Sequence, residues 1–146
     1  MRTHLHKPLL LITLLIIFSS VSLFACEMNF NLSGTNLQDM RILPGSTIAL
    51  QEGESYTLRV EFVEDHRNCS IPPEDTLFML DGRKWRVDKS EQGIVLQDPI
   101  QWTVQSKTSN VTLLPFFALQ EGTFTLSIIR DCPKGGYDET ITFSIS

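Results

Sequence analysis

The chain has 146 residues, 42% of them apolar, 20% charged and 9% aromatic, with a formal charge of −5. That length suits one domain, and the composition is too apolar for a disordered chain and too poor in Gly and Pro for a fibrous one. Arg2 and Lys7 lead into the ten-residue apolar run Leu9–Phe18 (broken only by Thr13) and then the small, polar run Ser19–Ser22. A positive start, a short apolar core and a small-residue exit predict a secretory signal peptide over 1–25. A membrane-spanning helix needs about 20 apolar residues, more than this run supplies.

Removing residues 1–25 takes two cations and no acid, leaving 10 basic and 17 acidic residues and a net charge of −7. An acidic surface without a basic cluster argues against nucleic acid, whose phosphates demand a positive footprint, and against electrostatic docking on anionic lipid. His4 and His6 leave with the signal, so His66 is the sole histidine of the remainder. That excludes a multi-histidine zinc site and leaves any nucleophile only one imidazole base.

At the predicted cleavage point stands Leu23-Phe24-Ala25-Cys26, which resembles the lipobox of bacterial lipoproteins, although Phe24 is larger than that pattern prefers. The resemblance implies that Cys26 becomes the lipid-modified first residue, anchoring the protein to a membrane of the bacterial envelope, facing the periplasm or the cell surface. The other outcome is plain cleavage after Ala25 or Ser22. Asn31, Asn68 and Asn110 head N-x-Ser/Thr sequons, a mild excess over chance that matters only in a eukaryotic host.

From Cys26 onward the apolar period is two rather than 3.6. Met28, Phe30 and Leu32 alternate with polar neighbours, and so do Tyr56, Leu58, Val60 and Phe62. Between them Ile42–Leu50 is expected as one strand interrupted by Pro44-Gly45. Thr76–Leu80 and Arg83–Val87 flank Asp81-Gly82, a pair suited to a two-residue hairpin turn. Ile94–Leu96, Ile100–Val104 and Val111–Leu119, the last interrupted by Pro115, follow. Phe124, Leu126 and Ile128, and then Ile141, Phe143 and Ile145, complete the set. Alternation buries one face of each strand and wets the other, so the domain 26–146 is expected to be all-β.

Gln120-Glu-Gly-Thr-Phe-Thr-Leu-Ser-Ile128 resembles the approach to strand F of immunoglobulin-like and fibronectin-type domains. The resemblance implies a single immunoglobulin-like antiparallel β-sandwich, with Trp85 or Trp102 as its core tryptophan. Immunoglobulin cysteines lie within strands B and F, whereas Cys69 and Cys132 fall just after the matching strands. With Cys26 lipidated these two form an even pair. A Cys69–Cys132 disulfide would tie the B–C loop to the F–G loop, which share an end in this topology, and closing that loop stabilises by roughly 4 kcal/mol on the chain-entropy model.

No catalytic constellation stands out. There is no Gly-x-Ser-x-Gly elbow. The paired acids Glu64-Asp65, Glu74-Asp75 and Asp138-Glu139 point to opposite faces if extended, which is unsuited to a carboxylate dyad. They lack the spacing of a calcium loop. No cofactor and no metal site are expected. The distinctive stretches are Glu64–Pro73 and Arg130–Tyr137, where His66, Arg67, Lys134 and Tyr137 would ring the expected disulfide as a partner-binding surface. The sequence thus points to a non-enzymatic, lipid-anchored binding or structural module with a protein partner in the envelope. A small periplasmic metal-handling or redox-accessory protein, using His66 and the cysteines, is the alternative.

Overall fold

The computed structural model describes residues 26–64, 71–87, 89, 92–133 and 136–146; the predicted signal peptide lies outside them. Alternating stretches become strands as expected. Among the described residues these are β1 (Cys26–Gly34), β2 (Leu37–Ile42), β3 (Thr47–Leu50), β4 (Ser55–Glu64), β5 (Leu77–Leu80), β6 (Arg83–Lys84), β7 (Ile94–Leu96), β8 (Trp102–Val104), β9 (Ser109–Ala118), β10 (Gly122–Arg130) and β11 (Tyr137–Ile145), with one 3-10 turn over Pro73–Asp75. They form two sheets. One runs β2-β1-β4-β9, with β7 and β8 both on the far side of β9, and the other runs β3-β11-β10-β5-β6.

Within the first sheet the named strands all pair antiparallel. In the second, β3 runs parallel to β11, a departure from the wholly antiparallel expectation. β1, β4, β9 and β7 occupy the A, B, E and D positions, and β5, β10 and β11 the C, F and G positions, of an immunoglobulin-like β-sandwich.

The core lies between the sheets. Leu32, Leu58, Val60, Phe62 and Leu114 face Phe78, Leu80, Leu126, Ile128 and Ile141, all buried. Phe116 sits at the centre, its ring 5.7 Å from Tyr56, 5.6 Å from Trp85 and 5.5 Å from Phe143. Trp85 is the core tryptophan, buried, with its Nε1–H donating to the Ile94 carbonyl at 3.2 Å. Trp102 is only half-buried, on β8.

Four local expectations change. Ile42–Leu50 is not one strand: β2 ends at Ile42, and the chain crosses to the other sheet through Leu43–Ser46, where Gly45 takes a left-handed φ of 76°. β2 itself begins earlier, at Leu37, hairpinned on β1. Arg83–Val87 pairs with β5 only over Arg83–Lys84; Val87 then makes a parallel bridge to Leu96. Pro115 does not interrupt β9, which pairs with β4 from Ser109 to Phe117. The Asp81-Gly82 hairpin forms as expected, both residues at positive φ, 48° and 74°.

The expected disulfide is not found. Cys132 is a buried free thiol, and Cys69 lies outside the described residues. A different device holds that end of the sandwich together. Arg130, 1% exposed, lays its guanidinium 4.0 Å over the Phe62 ring. It donates to the carbonyls of Ile71 and Pro72 and, at 3.2 Å, to the Thr76 hydroxyl. A planar, permanently charged fork suits that cluster of acceptors.

Candidate interaction surface

Of the residues expected to bind a partner, His66, Arg67 and Lys134 lie outside the described ones, so only Tyr137 can be placed. It is half-buried, against Phe30 at 6.3 Å between ring centroids, and packs on the core. Burial, and secondarily the charge of Glu139, push its hydroxyl pKa well above the ordinary tyrosine value. Cys26 is the first residue of β1, its backbone opposite Glu64, at the same end as the Arg130 cluster. Among the described residues no group of three or more His, Cys, Asp or Glu could hold a metal ion, and no helix is long and apolar enough to cross a membrane.

A wide concavity lies elsewhere, on the outer face of the first sheet, beside Pro115. The Pro115 carbonyl accepts from Gln97 N–H at 2.8 Å, so the side of Pro115 that lacks a donor faces the sheet edge, where proline is tolerated. The edge breaks there. β7 pairs with residues 116–118 and β8 with residues 110–112, and after Gln97 the chain between them, 98–101, leaves the ladder. That segment walls a groove of about 970 Å³ whose floor is Thr57 and Arg59 of β4 and Val111, Leu113 and Pro115 of β9.

The floor is polar on one side and apolar on the other. Arg59 spans it, one guanidinium nitrogen 3.2 Å from Glu61 and the other 3.1 Å from the Gln105 side chain. Glu61 also accepts from the Ser109 hydroxyl at 2.8 Å. That hydrogen bond, helped by the Arg59 hydrogen bond and charge and opposed by desolvation, holds the Glu61 carboxyl below its ordinary pKa. Leu113 stands beside Arg59 in the ladder and is 56% exposed, although β9 is a central strand.

These residues carried a signal in the sequence. Leu113-Leu114-Pro115-Phe116-Phe117 is apolar on both faces of a strand, which in a sandwich with one wet face is anomalous. A second feature is a correction to the charge reading: Arg83, Lys84, Arg86 and Lys89 all line one shallow concavity, so the acidic domain does carry a basic cluster.

No protein-family model matches the chain, and no curated protein matches it. Solved structures with a related backbone course include a chimeric titin Z1Z2 carrying an exogenous KLER peptide from decorin, at 15% identity and a TM-score of 0.39. Titin domain M7 is another, at 9% identity and a TM-score of 0.40. In each comparison 81% of this chain and 96% of the other are covered.

Proposed function

We propose that this is a non-enzymatic interaction module of the bacterial cell envelope, exported by residues 1–25, anchored by lipid on Cys26, and contacting an extended segment of a protein partner through the outer groove. The observation that carries this reading is the groove itself: an exposed leucine beside a spanning arginine, under a wall lifted from the sheet edge at Pro115. An apolar anchor site next to oriented polar groups is what short-segment recognition uses.

The surface differs from the end loops expected from sequence, and the anchor supplies the reason. With a lipid on Cys26, the first residue of β1, no spacer would intervene, and the end that carries 71–76 and Arg130 would lie against the membrane. Thr57 and Arg59 lie in the half of β4 remote from Glu64, and that half of the groove would stay open on the flank.

Two measurements test it. Intact mass of the protein from its native envelope should include added lipid on Cys26, and Cys26→Ser should release it; mass of the bare polypeptide overturns the anchor. A photo-crosslinking residue at Leu113 should form a defined adduct in the native envelope, while one at exposed Thr140 on the other sheet should not. Equal adducts at both positions, or none at Leu113, overturn the groove.

A further inference from the structure

A second concavity opens between the two sheets at the β5–β8 side, and its chemistry differs from that of the outer groove. It is a slot of about 330 Å³ walled by Phe78 and Trp85 from one side and Leu96, Ile100 and Trp102 from the other. Lys84 and Arg86 stand at its rim, both exposed, flanking the buried Trp85. The alternation explains the arrangement. In Lys84-Trp85-Arg86 the indole turns into the sandwich, and the cations on either side turn outward.

Neither Lys84 nor Arg86 has an ion-pair partner among the described residues, and Arg83 and Lys89 extend the positive patch beyond them. Four cations gathered in seven residues stand out on a domain with 10 basic and 17 acidic residues over 26–146. Glu74 occupies another part of the slot rim and disfavours an anionic head placed on its side.

We propose that the slot binds a small organic anion with an aromatic or branched apolar body, its carboxylate held by Lys84 and Arg86 and its body lying over the half-buried Ile100 and Trp102 at the mouth. The volume is at the lower end of small-ligand sites, which fits a single bicyclic ring with a short acidic side chain. The aromatic walls favour a flat body. The paired cations favour the acid over its neutral amide, and Glu74 sets the direction in which the head leaves the slot. This site is independent of the outer groove, with which it shares only Pro99 of the intervening segment.

The test uses indole-3-propionate, its neutral amide, and tryptamine as the matched cation, titrated into the purified protein and followed by two-dimensional NMR. The acid should shift the Trp102 indole resonance. It should bind at least about five-fold tighter than the amide at low salt, with tryptamine weakest, and lose that advantage as salt rises. The double variant Lys84→Ala/Arg86→Ala, altered only at exposed positions, should melt like the parent and bind acid and amide alike; Glu74→Gln should strengthen the acid. Equal binding of acid and amide in the parent overturns the proposal. So does an acid preference unmoved by salt and by the double variant, or resonance shifts confined to residues outside the slot, or no shift from any probe up to about 5 mM, the edge of measurable affinity for so small a ligand. None of these outcomes depends on the adduct at Leu113, so the slot and the groove stand or fall separately.

Discussion

Glu61 shows how one side chain can be both a fastener and a pH-sensitive point. Its carboxylate is held by Ser109 and Arg59, and its pKa lies below the ordinary value of 4.5. A folded pKa below the unfolded one means that the ionised form stabilises the fold. That contribution is present above the ordinary carboxylate value and is lost as pH falls through the folded pKa. Ser109→Ala should therefore cost about 1 kcal/mol near neutrality, and the gap from the parent in thermal melting should narrow on acidification below pH 4.5. A gap unchanged across that range would mean that Ser109 acts through packing alone. Arg130 is a heavier case. Arg130→Leu leaves the Ile71 and Pro72 carbonyls and the Thr76 hydroxyl without their donor. Denaturant unfolding should show a loss of about 2–4 kcal/mol, with proteolysis appearing first near 71–76.

At the scale of elements, strands with three or four alternating apolar residues were legible, because one buried face imposes the period directly. β1, β4, β10 and β11 are of this kind, and so is the hairpin turn at Asp81-Gly82. β2 was not legible. Leu37-Gln38-Asp39-Met40-Arg41-Ile42 is an edge strand with little burial before Ile42, so its composition carries little of the core's imprint. The Ile42–Leu50 error has a related cause: Pro44-Gly45 marks a break, but not that the two halves join different sheets. The outer groove was not legible, because charge and turn residues draw attention to the loops. The groove depends instead on which side of Pro115 lacks its donor, and only the pairing register reveals that. The basic cluster at 83–89 was present in the sequence and hidden by the negative total. The cysteine pair was inferred from parity and loop position, which omit the arginine that fixes the same end.

For the whole molecule, the decisive matter is how its sheets end. The first is bounded by β2 on one side and by β7 and β8 on the other, the second by β3 and the two-residue β6. Open strand edges recruit other chains, and a long flat edge is a template for aggregation. Pro115 cuts the β7–β8 side into two fragments of three residues each and turns the chain between them out of the ladder. The protein therefore presents no continuous row of donors and acceptors along that side. Pro115→Val restores the missing N–H toward the edge and adds a residue that favours extended pairing. The variant should remain folded by circular dichroism, yet sediment with a concentration-dependent larger species that the parent lacks. The same proline that borders a groove on this flank then also keeps neighbouring molecules from zipping together along it, so shelter from self-association is set by one missing hydrogen.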